Sequence, residues 1–171
     1  FENILNELIK INSLNEGGIY IQITRGIAQR DFSFVSGITP TVMAFAFSDS
    51  VLEHPGAKSG ITIISTPDIR WKRRDIKSIS LLGQCYAKNQ ATIAGADECF
   101  MIEDGYVTEA GSSSAFIIKD GALITKPLSN EILPGIRRQR LLNLAKEIGL
   151  KIEERKFSMD EVYNADECFI S

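Results

Sequence analysis

Apolar positions along the chain alternate between two spacings, and the changes divide it into elements. In ENILNELIKINSL, Ile4, Leu5, Leu8, Ile9 and Leu14 recur at three- and four-residue steps, predicting a helix that Gly17-Gly18 ends. IYIQITRG then alternates as a strand, and TVMAFAFS, residues 41–48, is a second. A polar, Pro- and Gly-containing stretch over residues 49–59 reads as a linker, and ITIIST, residues 61–66, as the next strand. The apolar run that follows the cationic segment RWKRRDIK predicts a long buried helix from about Ile79 to Gly95. CFMIEDGYVTEAG and AFIIKDGALITKP each set Asp-Gly between β-rich runs, a strong hairpin signal. PGIRRQRLLNLAKEIG places Pro-Gly before a periodic helix and Gly149 after it. Ser158 and Glu161 are spaced as a capping box, and DECFIS is a final strand.

These elements predict a strand-rich α+β chain with a boundary near residue 52. The first 50 residues hold one helix and two strands, too little for an independent domain. The last strand stops at Ser171 with no turn or tail, so both ends are expected to be cut edges of a larger protein.

Composition narrows the classes. The chain of 171 residues is 44% hydrophobic and 24% charged with a net charge of −3, which gives no electrostatic reason to expect nucleic acid or an anionic membrane as partner. No apolar run reaches the ~18 residues of a membrane span. Cys85, Cys99 and Cys168 are odd in number and widely spaced, the pattern of reduced thiols rather than a disulfide frame or zinc site, and no metal is expected. The single histidine, His54, sits in the linker, so triads and His-rich metal sites are poor candidates. Catalysis here would use Lys, Glu, Asp or a cofactor.

Four stretches could carry such chemistry. Lys77 follows four other cations and precedes the apolar run; an amine carried toward an interior near like charges loses its proton more readily and becomes a nucleophile. A solvated lysine at a helix start is the plainer reading. Glu109 lies in YVTEAGSSSAF, where small residues let a ligand approach the backbone, and a carboxylate there could keep a ring nitrogen protonated. It could equally be a strand-end Glu satisfied by the neighbouring hydroxyls. LPGIRR opens a helix whose first amides, from Ile136 and Arg137, would face outward with the positive dipole end, a seat for phosphate, although many helices begin with Pro-Gly. Arg30, beyond a strand end, could clamp a carboxylate or simply be a surface arginine.

Together, YIQITRG…R, IRWKRRDIKS, VTEAGSSSAF, ILPGIRR and DECFIS resemble the class IV (fold type IV) pyridoxal-phosphate-dependent aminotransferases, and among them the D-amino acid aminotransferases, from Phe1 to Ser171. The resemblance implies part of a small α/β domain over residues 1–52 and a larger pseudo-barrel domain that binds pyridoxal 5′-phosphate over residues 53–171. It implies that Lys77 forms the Schiff base, that Glu109 pairs with the pyridinium nitrogen, and that Gly135, Ile136 and Arg137 hold the phosphate. Leu133 would pack near the ring, with Ser112 and Ser113 beside the cofactor, and Arg30 would bind the substrate carboxylate. Three positions depart from the family pattern: Arg137 stands where Thr is usual, Phe32 where some D-amino acid enzymes have His, and Ser114 where Asn is common. The family's phosphate-binding arginine and substrate tyrosine would lie upstream of Phe1, and another phosphate hydroxyl beyond Ser171, so the fragment is expected to hold an incomplete site.

The implied activity is ping-pong transamination from a D-amino acid, D-alanine, to a 2-oxo acid such as 2-oxoglutarate, in a cytoplasmic homodimer. A branched-chain L-amino acid aminotransferase and an aminodeoxychorismate lyase are the alternatives within the family. A non-catalytic binding module of the same fold is the alternative outside it.

Overall fold

The computed structural model describes residues 1–53 and 56–171, and His54 lies outside the described residues. The chain divides into two compact units, Phe1–Gly60 and Ile61–Ser171.

In the first unit, helix α1 (Glu2–Ile11) precedes strands β1 (Gly17–Thr24) and β2 (Thr41–Ser48), and a four-residue helix α2 (Gly56–Ser59) follows. β1 and β2 pair antiparallel from Gly17 opposite Ser48 to Thr24 opposite Thr41. The period of two puts Tyr20 directly across from Phe45, and their rings stack at 5.1 Å. None of the unit's described residues is buried, because one helix and one hairpin cannot enclose an apolar interior.

The second unit contains the core. Strands β3 (Ile63–Pro67), β4 (Glu98–Glu103) and β5 (Tyr106–Ala110) form one sheet in that order, with β3 parallel to β4 across helix α3 (Leu82–Ile93). The other sheet runs β8-β7-β6-β9, from β6 (Ala115–Lys119), β7 (Ala122–Thr125), β8 (Lys151–Glu154) and β9 (Glu167–Ile170). Helix α4 (Ile136–Glu147) connects the parallel pair β7 and β8, and the short α5 (Met159–Tyr163) leads into β9.

Alternation along the strands explains the layering. Phe100 on β4, Val107 on β5, Ile117 on β6 and Ile124 on β7 meet with Phe157 in one buried cluster shared by the two sheets. The intervening residues face the other way: Cys99 and Met101 pack on Ala87 and Ala91 of α3. Phe116 and Leu123 likewise pack on Leu142 and Ala145 of α4. Each sheet is therefore covered by a helix on its outer face, which is why these strands are apolar on both sides.

Both Asp-Gly hairpins form. Asp104 and Gly105 have φ of 52° and 81°, and Asp120 and Gly121 have 49° and 73°, the paired left-handed conformation that Asp-Gly adopts at least cost. The capping box also forms: Ser158 Oγ accepts from the Glu161 amide, and the Glu161 carboxylate accepts from the Ser158 amide. One expectation is corrected. The helix expected from Ile79 begins at Leu82, and Ile79 and Leu82 are 66% and 84% exposed. The face that packs on β4 is carried by the small Ala87 and Ala91, so the preceding apolar run remains a surface loop.

Candidate functional site

β3 ends at Pro67, and the next residues supply a dense set of charges. Asp68, whose side chain is fully buried, accepts from Arg70 three times: from Nε at 3.0 Å, from Nη2 at 2.7 Å and from its backbone amide at 3.1 Å. Nη1 of Arg70 donates to Glu109 Oε2 at 2.6 Å, so one guanidinium joins the end of β3 to β5. Thr108 Oγ1 lies 2.5 Å from Asp68 Oδ2. Successive strand residues usually face opposite ways. Here the β4–β5 pairing shifts register between Phe100 and Ile102, and both Thr108 and Glu109 reach the Asp68–Arg70 pair.

The charges continue outward. Arg74, also buried, lies 3.5 Å from Asp68 Oδ2 and pairs with Glu103, which in turn pairs with the exposed Lys72. Lys72, Glu103, Arg74, Asp68, Arg70 and Glu109 thus form a ladder of alternating sign from solvent to the interior. Every inner member lies between two opposite charges, while Glu109, at the buried end, has a cation on one side only.

Burial would raise the Asp68 carboxyl, but the hydrogen bonds from Arg70 and Thr108 outweigh it and hold the group below its ordinary value. Burial wins at Glu109, pushing its carboxyl up against the opposing pull of Arg70 and of the Leu133 amide. Glu103 is held down to about 2 by hydrogen bonds from Arg74 and Lys72.

Glu109 Oε1 accepts from the backbone amide of Leu133 at 3.0 Å, tying the strand to the segment that opens α4. Each carboxylate oxygen has one described donor, leaving a further lone pair on each for a ligand. Gly135 is the N-cap of α4 and supplies no side-chain cap; the first helical bond runs from the Gln139 amide to the Gly135 carbonyl at 3.0 Å. The amides of Ile136 and Arg137 therefore have no hydrogen-bond partner among the described residues, and they stand at the positive end of the helix dipole. A concavity lies over this turn, bordered by Leu128, Pro134, Gly135 and Ile136. A side chain at Gly135 would put Cβ 3.3 Å from Ser114 Oγ, so the close approach favours glycine. Ser112 and Ser113 form the tight turn after β5, closed by the Ala110 amide donating to the Ser113 carbonyl at 2.8 Å.

Lys77 lies in the loop between Arg70 and α3, and the loop closes on itself, since a Cβ at Gly83 would sit 2.9 Å from Arg70 Cγ. The expectation that Lys77 turns inward is corrected. Its side chain is exposed, with no ion pair among the described residues, and the inward positions in this segment belong to Arg70 and Arg74. A guanidinium can satisfy two carboxylates at once through its planar fork, so these arginines tolerate burial where an unpaired ammonium does not. Arg30 belongs to the first unit, in the loop between β1 and β2, with its guanidinium over the Phe32 ring at 5.4 Å.

The second unit thus joins Glu109 to Arg70, where the Lys77 loop begins, and to Leu133, just ahead of Gly135 and Ile136. Sequence reasoning missed Asp68, Thr108 and Glu103, and took Arg70 and Arg74 only as cations that precede Lys77. The available signal was the Asp68-to-Arg70 spacing at a strand end, which suggests a local ion pair but does not show the carboxylate beyond it. Among the described residues no group of His, Cys, Asp or Glu is arranged to hold a metal ion, and no helix is long and apolar enough to cross a membrane.

The family model for class IV amino-transferases matches residues 1–171. A D-alanine aminotransferase of Bacillus licheniformis is 41% identical over 167 residues, which cover 98% of this chain and 59% of that protein. In structure the chain is similar to a branched-chain amino acid aminotransferase of Escherichia coli, with TM-score 0.82 and 27% identity over 96% of this chain and 57% of that one. It is also similar to a candidate 4-amino-4-deoxychorismate lyase of Legionella pneumophila, with TM-score 0.84 and 26% identity over 99% and 62%. The chain spans about three fifths of the length of these proteins.

Proposed function

Because this chain belongs to the class IV aminotransferases, we propose that the protein it comes from is a pyridoxal-phosphate-dependent transaminase, moving the amino group of a D-amino acid, D-alanine, to a 2-oxo acid such as 2-oxoglutarate. One observation carries this reading. A single compact unit holds a buried carboxylate with lone pairs to spare, an uncapped helix N-terminus beside it and a lysine loop hinged on the carboxylate's own arginine. That donor set suits a cofactor with a phosphate at one end and a ring N–H at the other. The choice of a D-amino acid is supported by the 41% identity to a D-alanine aminotransferase.

When bound, pyridoxal phosphate supplies an aldehyde that condenses with amines and a pyridinium ring that takes up carbanion charge. Ile136 and Arg137 bind the phosphate through their free amides, aided by the dipole of α4. Gly135 leaves the approach open, and Ser112 and Ser113 offer small neighbours on the other side. Leu133 would pack near the ring and, through its amide, aims Glu109. Glu109 accepts the ring N–H and keeps that nitrogen positive. Lys77 would supply the amine that holds the cofactor, and its Nζ would serve as the base for the proton on the substrate Cα. An exposed lysine on a loop can do both, since it must attack and then withdraw. Arg30 holds the substrate carboxylate. Residues 1–52 contribute to a small domain and residues 53–171 to the cofactor domain of a homodimer. Three free thiols fit a reducing cytoplasm.

The test is full-length protein loaded with cofactor and given D-alanine and 2-oxoglutarate. Turnover to pyruvate and glutamate is expected, with Lys77→Ala losing both turnover and the visible absorbance of protein-bound cofactor. An active Lys77→Ala variant sinks the proposal. The structural likeness to a branched-chain aminotransferase and to a candidate lyase supports the second readings. Comparing D-alanine, L-leucine and aminodeoxychorismate as substrates separates them.

A further inference from the structure

Arg70 is the only charged partner of Glu109 among the described residues. Its side chain is buried, and its fork is fully directed: Nε and Nη2 to Asp68, Nη1 to Glu109. We propose that Arg70 is a positioning residue for Glu109. It orients the carboxylate and keeps it negatively charged at the buried end of the ladder, where it can meet the cationic ring nitrogen of the cofactor; this rests on the function proposed above.

Glu109 has been taken out of water, which favours its neutral form. A neutral carboxylic acid cannot hold a ring nitrogen positive, because it carries no negative charge to stabilise the ring cation. The described groups facing Glu109 are Arg70 and Asp68 from the segment after β3 and the Leu133 amide from the segment before α4. Asp68 repels a negative Glu109, the amide attracts it weakly, and Arg70 is the one full positive charge in contact. Arg70 is in turn held by Asp68, by the hydroxyl of Thr108 beside it and, from behind, by the start of α3 at Gly83. Asp68 would neutralise Arg70 on its own account, but Arg74 shares Asp68 at 3.5 Å and relieves that demand. The ladder therefore leaves Arg70 available to Glu109, and Glu109 with one unmatched side, which is the arrangement a cationic ligand completes.

The test uses the full-length, cofactor-loaded protein and follows two signals with pH. One is the infrared carbonyl band of protonated Glu109, identified as the band lost in Glu109→Gln. The other is the acid limb of kcat. In Arg70→Met the Glu109 midpoint is expected to move up by about a unit or more, and kcat to fall about 10- to 100-fold with KM for D-alanine little changed. Arg70→Lys, which keeps the charge but not the fork, is expected to recover part of both. A purely structural arginine would lower the melting temperature and leave the Glu109 midpoint in place; that result overturns the proposal. Should Arg70→Met fail to fold, Arg70→Lys decides, since an ammonium that cannot serve both carboxylates must still move the midpoint. The infrared signal needs no turnover. If the protein proves not to be a transaminase, an unmoved band still refutes the Arg70 assignment and a moved band still supports it.

Discussion

Glu103 shows how one residue can carry a measurable share of the acid response of the whole chain. Arg74 and Lys72 hydrogen-bond its carboxylate and hold it at about 2, below the ordinary 4.5. A depressed carboxyl stabilises the folded state fully above the unfolded value and loses that contribution as pH falls through the folded one. Urea unfolding between pH 6 and about 2 should therefore show stability declining below about 4.5, with a shallower decline in Glu103→Gln. Equal slopes in the two proteins would show that the ladder's outer rungs contribute nothing. At this scale sequence reasoning identified Glu109 as a special carboxylate, and the structure buries it. It could not pair Glu109 with Arg70, because the partners are 39 positions apart and an arginine in a cationic run looks solvated. Lys77 shows the opposite failure: its apolar neighbours suggested burial, and the loop places it at the surface.

Elements with local causes formed as their sequences predict. The capping box at Ser158 satisfies two amides of α5 that have no helical partner, and a box needs only a three-residue spacing to be recognised. Ser158→Ala should lower stability by about 1 kcal/mol and the melting temperature by a few degrees, read by calorimetry. Because α5 positions β9 against β6, the loss should appear first as faster amide exchange at Cys168 and Phe169. No change in either signal would mean that β9 is held by its sheet alone. The Asp-Gly hairpins and the Gly-bounded α4 are legible for the same reason, since backbone conformations that only certain residues adopt at low cost are written within a few residues. The start of α3 was not legible. Its buried face is two alanines, which give hardly any periodic signal, while the more apolar run before it stays largely exposed.

At the scale of the whole molecule, apolar burial among the described residues is confined to the second unit. Residues 61–171 contain every buried residue described, including Phe100, Phe116 and Phe157, whereas the described residues of the first unit include none. Expressed alone, residues 61–171 should unfold cooperatively in urea, and residues 1–60 should show no cooperative transition. A sharp transition in the shorter piece would contradict that division. Within the second unit, Phe100→Ala should cost about 3–5 kcal/mol, because Phe100 lies in the cluster shared by both sheets and its loss leaves a cavity there. By itself the sequence determined the α+β class, the hairpins, the caps and, through its motifs, the family and the residues worth suspecting. Tertiary structure alone decided that Arg70 faces Glu109, that the α4 amides stand open beside it and that Lys77 hangs on an exposed loop. The physical reason is range: turns and caps are settled by neighbours within a few residues, whereas a buried ion pair exists only where distant strands bring both charges out of water together.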